Sequence, residues 1–134
     1  MNRWQTIDQQ LQHISLNNFG QRQLESFRQC VLSLMASGTP TVEKVADAMA
    51  MHPTKLRRRV KLLTGVPANT YFTYLRIHHA MEMLGEYPLY KVHQVACACG
   101  FADTAHLCHV FRCWTDQSPM EFMDDVKKSF LNQQ

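Results

Sequence analysis

The chain predicts an all-α fold: two helix-turn-helix subdomains joined by a long linker helix, with extra N-terminal helices. Three observations carry this. Apolar residues recur at helical spacing in one segment after another. No stretch alternates apolar and polar residues in the manner of a half-buried strand. A pattern of short helix, tight turn and second helix occurs twice, offset by about 50 residues.

Residues 1–40 read as an N-terminal helical extension. Trp4, Ile7, Leu11 and Ile14 form a first apolar stripe, which Asn17, Asn18 and Gly20 are expected to end. From Gln21 to Ala36, the residues Leu24, Phe27, Val31, Leu34 and Met35 form a second stripe, stopped by Ser37-Gly38-Thr39-Pro40. Residues 41–66 are the first helix-turn-helix. Thr41 is a natural N-cap, its hydroxyl able to accept from an orphan amide in the first turn. Val42, Val45, Ala46 and Met49 give the short helix, and Ala50-Met51-His52 the joint. Pro53 opens the next helix, where its missing amide and fixed φ cost nothing. That helix puts Leu56, Val60 and Leu63 on one side.

Residues 67–87 are the linker helix, free of proline after Pro67 and spaced apolar through Tyr71, Phe72, Leu75, Ala80, Met83 and Leu84. Its expected length is roughly 30 Å. Residues 88–134 hold the second helix-turn-helix and a C-terminal helix. Val92, Val95 and Ala96 make the short helix, Cys99-Gly100-Phe101 the turn, and Asp103 caps a helix carrying Leu107, Val110, Phe111 and Trp114. Ser118-Pro119 opens the last helix, with Phe122, Met123, Val126 and Phe130, fading into a polar tail.

Composition narrows the function. With 134 residues, a net charge of +3 and a pI of about 8.7, the chain is mildly basic. The charge is concentrated: Lys55, Arg57, Arg58, Arg59 and Lys61 put five of the 14 basic residues into one helix, with no acid beside them. A solvated helix face would explain such a run taken alone. Backed by an apolar stripe, inside a repeated helix-turn-helix, it is a helix that sits on a core and faces a polyanion. No apolar run is long enough to cross a membrane, and the first residues lack the apolar core of a signal peptide. The five cysteines are therefore expected as reduced thiols in a cytoplasm.

The arrangement resembles the DNA-binding domain of AraC/XylS-type bacterial transcription regulators. The residues that carry the resemblance are Val45-Ala46, Leu56, Arg58, Lys61 and Leu63-Thr64-Gly65, then Tyr71 and Arg76-Ile77-x-x-Ala80. The second half adds Val95-Ala96-x-x-Cys99-Gly100-Phe101-x-Asp103, Leu107, Phe111-Arg112 and Ser118-Pro119-x-Glu121-Phe122. The resemblance implies two recognition helices in successive major grooves of double-stranded DNA. A spacer of roughly 30 Å, near the B-DNA turn of about 34 Å, agrees with it. It implies base reading by Thr54, Arg57 and Arg58, with Lys55 and Lys61 close by, and by Thr104, Ala105, His106 and His109, with Arg112 as the only lysine or arginine of that helix. His109 stands where the family has arginine, Asp116 where it has glycine, His52 where a serine cap is common, and Val60 where it has an aromatic. The first half is therefore expected to supply most of the affinity.

Two other classes compete. In one, a degenerate second half docks on RNA polymerase or another regulator. In the other, Cys97, Cys99, His106, Cys108, His109 and Cys113 form a metal or redox sensor. Their spacing fits no closed metal site, and small soft residues filling helix seams explain them better. His106, His109 and Cys113 are expected to share a helix face. His78-His79 reads as an ordinary helix surface, and the eight methionines as core filler. No nucleophile-base order, phosphate loop or paired carboxylate points to an enzyme, and no cofactor or metal is implied. The first stripe, from Trp4 to Ile14, is expected to pack within the chain; otherwise it would join a homodimer.

Overall fold

The structure, a computed structural model, describes residues 1–132. Residues 133–134, the end of the expected 88–134 unit, lie outside the described residues. Within them are eight helices: α1 (Arg3–Gln12), α2 (Asn18–Met35), α3 (Val42–Ala48), α4 (Pro53–Thr64), α5 (Ala68–Gly85), α6 (Val92–Ala98), α7 (Thr104–Thr115) and α8 (Pro119–Asn132). The described residues include no strand.

The helix starts follow their caps. Thr41 accepts from the Lys44 amide at 3.2 Å, and Asp103 from the His106 amide at 2.8 Å. One punctuation mark reads differently from the expectation. Asn17 accepts from the Gly20 amide at 2.8 Å, so Asn17-Asn18-Gly20 starts α2 instead of merely ending α1. Asparagine serves both purposes because its side chain competes for backbone amides wherever a helix is not yet formed. Gly20 lies buried in that first turn, where a Cβ would stand 3.4 Å from Leu63.

The internal repeat holds down to single hydrogen bonds. In the first turn the Met51 amide donates to the Ala46 carbonyl at 2.8 Å; in the second, Phe101 donates to Ala96 at 3.0 Å. Between each pair the chain passes through the left-handed region, at Ala50 with φ 54° and at Gly100 with φ 75°. Helices α4 and α7 end in the same way. Buried Thr64 donates its hydroxyl to the Val60 carbonyl at 2.7 Å, and Thr115 donates to Phe111 at 2.8 Å. Gly65 and Asp116 then take left-handed conformations, with φ 78° and 62°.

Two apolar clusters sit under the two repeats. The first joins Phe27 and Val31 of α2 to Val45, Leu56, Val60 and Leu63, and to Tyr71, Phe72 and Leu75 of α5. The second joins Met35 of α2 to Ile77, Ala80 and Leu84 of α5, and to Val95, Cys99, Leu107, Phe111 and Trp114. Each large side chain so buried contributes about 1.5–3 kcal/mol. Helices α2 and α5 therefore belong to both cores.

The first stripe packs within the chain, across α5 and against α7. Trp4 stacks on Tyr74 with centroids 5.2 Å apart and on His78 at 5.6 Å, and its indole donates to the Tyr74 carbonyl at 3.3 Å. The Asn2 side chain donates from Nδ2 to the Thr115 carbonyl at 3.3 Å, and the Arg3 guanidinium lies 4.4 Å over the Trp114 ring. At the other end of α1, Gln10 lies beside Gly65, where an added Cβ would meet its Nε2 at 3.0 Å. Thus α1 is a strap touching the C-terminal ends of both α4 and α7.

Candidate nucleic-acid interface

Helix α4 buries Leu56, Val60 and Leu63 and exposes Thr54, Lys55, Arg57, Arg58 and Lys61. Its start is built by His52, whose Nδ1 accepts from the Thr54 amide at 3.2 Å. A ring nitrogen thus does the work of the more common serine hydroxyl. The cations then divide by partner. Arg59 is half-buried, donating to Gln23 Oε1 at 2.6 Å and lying 5.8 Å from the Phe19 ring, so it pins α4 to α2. Lys61 donates to the Gly65 carbonyl at 2.9 Å and closes the helix. Arg57 pairs with Glu43 of α3 at 2.8 Å. Both side chains are at least half exposed, so that pair is worth no more than about 1 kcal/mol and exchanges readily. Lys55 and Arg58 have no protein partner among the described residues.

Helix α7 occupies the matching place with different chemistry. Thr104, Ala105, His109 and Arg112 are exposed. Arg112 reaches Glu121 at 3.4 Å. His106 is half-buried: its Nδ1 accepts from the Ala102 amide at 3.3 Å, and its ring meets Phe101 edge-on at 5.3 Å. The expected common face is therefore narrower. His109 and Cys113 meet, Nε2 to Sγ 3.9 Å, while His106 is drawn into the turn.

The remaining thiols are scattered. Cys97 is exposed, Cys30 and Cys108 are half-buried, and Cys99 is buried. Burial pushes the Cys99 thiol up to about 12 despite the neighbouring Arg76, so it stays a neutral packing group. Among the described residues, no three His, Cys, Asp or Glu side chains gather as a metal site would require. No helix there is long and apolar enough to cross a membrane.

What relates α4 to α7 is a latch that helical periodicity does not reveal. Buried Arg76 of α5 donates from Nε to the Cys99 carbonyl at 3.0 Å and from Nη2 to the Gly100 carbonyl at 2.8 Å. Its guanidinium lies 4.0 Å over the Phe101 ring. Thr39, from the α2–α3 loop, donates to the same Gly100 carbonyl at 2.7 Å. A Cβ on Gly100 would lie 2.4 Å from the Gly38 carbonyl oxygen. The loop entering the first unit is thus seated on the turn of the second. The sequence signals for it are an arginine set between apolar Leu75 and Ile77 and its place in the Arg76-Ile77-x-x-Ala80 pattern.

Comparison with known proteins agrees with this geometry. A family description, helix-turn-helix domain, matches residues 45–125, more than half of the chain. An uncharacterized HTH-type transcriptional regulator, YijO of Escherichia coli strain K12, is 38% identical over 82 residues, 61% of this chain. The chain spans 29% of that relative's length. Among solved structures, the DNA-binding domain of AdpA, crystallised in complex with a target DNA, matches with a TM-score of 0.65 and 25% identity, over 77% of this chain and 94% of that one. The C-terminal domain of AraT, a response regulator from Geobacillus stearothermophilus, matches in fold with a TM-score of 0.68 and 22% identity, over 82% and 87% of the two chains. The chain therefore belongs to the AraC-type helix-turn-helix family, whose members are DNA-binding transcription regulators and not enzymes.

Proposed function

We propose that the protein is a sequence-specific regulator that inserts α4 and α7 into successive major grooves of double-stranded DNA. The observation that supports this most is the exposed cationic face of α4, joined through α5 to its counterpart in the second unit. Helix α5 has 18 residues, about 27 Å at the α-helical rise. Arg58, with no protein partner to displace, supplies bidentate donors for guanine O6 and N7. Arg57 joins it by exchanging Glu43 for DNA. Lys55 and Lys61 attract phosphate. In α7, Thr104, Ala105 and His109 face the second groove, Arg112 anchors phosphate, and His106 supports the turn more than it reads bases.

Fluorescence-anisotropy binding to random duplex across a salt series tests this, with wild type beside Arg57→Ala/Arg58→Ala. Wild type should lose affinity steeply with salt, over a slope of several phosphates, and the double variant should lose both affinity and slope. No binding by wild type even at low salt would end the DNA reading.

A second reading is favoured by the sparse charge of α7, where Arg112 already reaches Glu121. There the second unit serves a protein, such as RNA polymerase, while α4 holds the DNA. His109→Arg separates the two. A gain in DNA affinity supports groove reading by α7, and no response supports protein docking.

A further inference from the structure

The Arg76 latch holds the two units together on one side of α5. Tyr74 lies two residues earlier, which turns it about 200° around the helix from Arg76, onto the far face. Tyr74 and Ile7 of α1 both pack against both apolar clusters, so they lie on the seam between the units. Helix α1 grips Tyr74 at three points. The Trp4 ring stacks on its ring at 5.2 Å, Trp4 Nε1 donates to its carbonyl at 3.3 Å, and Asp8 accepts from its hydroxyl at 2.6 Å. His78, one turn further along α5, stacks on the same indole at 5.6 Å.

From this seam α1 reaches both ways. Asn2 and Arg3 hold the end of α7 at Thr115 and Trp114, and Gln10 lies beside Gly65 at the end of α4. Its 10 residues span about 15 Å. No residue of α1 is buried, so neither core needs it to close. Its contacts instead oppose a rotation of one unit over the other about α5, on the face that the latch leaves unguarded.

We propose that α1 is a positioning element, with Trp4 its principal residue. It fixes the angle between α4 and α7, and with it the spacing of DNA half-sites that the chain accepts. Its effect on spacing rests on the two-groove reading above. One base pair added between half-sites moves the second groove by about 3.4 Å and turns it by about 35°. A braced pair of helices cannot follow that change, whereas a pair released from the strap follows part of it.

Two measurements on the full chain test this. Residual dipolar couplings of the free protein need no DNA. In wild type one alignment tensor should fit the amides of α4 and α7 together. In Trp4→Ala the two helices should need separate tensors, and Trp4→Phe, which keeps a ring on Tyr74, should return them to one. The second measurement is binding to a duplex selected from a random pool. Wild type should lose about tenfold or more in affinity when one base pair is inserted between the half-sites. Trp4→Ala should bind the selected duplex more weakly, yet lose less than about threefold on the insertion. A variant that is merely less stable would keep the wild-type ratio. Asp8→Ala, which frees only the Tyr74 hydroxyl, should move both readouts the same way by less, and it serves if Trp4→Ala does not fold. The proposal fails if one tensor fits the variant as well as wild type, or if the ratio between the two duplexes is unchanged. No DNA binding by wild type would end the two-groove reading, while the couplings would still decide whether α1 sets the angle.

Discussion

The two helix-turn-helix units share a frame and differ in surface. Their turn bonds, buried threonines and left-handed helix ends correspond residue for residue. Yet α4 exposes Lys55, Arg57, Arg58 and Lys61, whereas α7 exposes Thr104, Ala105 and His109 before its one arginine. The caps differ in the same sense. His52 brings no fixed negative charge to the start of α4, while Asp103 puts a carboxylate at the start of α7, where it stabilises the helix but opposes a phosphate. Inside, the second unit is the larger: Phe111 and Trp114 stand where the first has Val60 and Leu63. Frame and contact surface have thus diverged separately. The first unit carries the charge, and the second carries the larger apolar side chains.

The sharpest way to break this comparison is at the matched turn residues. Gly100→Ala combines a left-handed φ with a clash against Gly38 and should destabilise the fold by about 2–4 kcal/mol in chemical denaturation. Ala50→Gly in the first turn should instead stabilise it by about 0.5–1 kcal/mol, relieving the cost of a Cβ at positive φ. If both changes act alike, the turns are not equivalent frames with unequal surroundings.

Next come the arginines. Arg58→Ala should cost about 1–3 kcal/mol of DNA affinity, and Arg112→Ala less than about 1 kcal/mol, by titration at fixed salt. Equal losses would mean that the halves share the work. Smaller again is the effect of removing His109. His52 and His106 each use Nδ1 to accept from a main-chain amide, whereas the exposed His109 ring accepts from none. His109→Ala should therefore weaken DNA binding by less than about 1 kcal/mol and leave the fold unchanged; unchanged binding would take His109 out of the contact. The smallest expected change is at Glu43. Glu43→Gln frees Arg57 and removes an acid beside α4, which should tighten binding by about 0.5 kcal/mol. Weaker binding in that variant would show that Glu43 positions Arg57 for its contact.

Much of this was legible in the sequence because it is local. Thr41 and Asp103 marked helix starts, Pro53 a first turn, and the spacing of Val45, Leu56, Val95, Leu107 and Phe111 the two cores. The rest was hidden because it depends on which distant groups meet. Nothing in the order of residues pairs Arg76 with the carbonyls of Cys99 and Gly100, or lays Trp4 on Tyr74 and His78. Nor does composition show that His106 turns to Ala102 while His109 faces outward. Periodicity names the buried face of a helix; it does not name the neighbour.

The Arg76 latch bears on how the molecule folds. An arginine taken out of water and satisfied only by main-chain oxygens of a turn over 20 positions away has no counterpart in either unit alone. Helix α2 likewise supplies Phe27 and Val31 to one core and Met35 to the other. The repeat is modular in sequence and indivisible in energy. A unit excised or exchanged for that of a relative would arrive without its missing wall, and the intact chain should unfold in one cooperative transition.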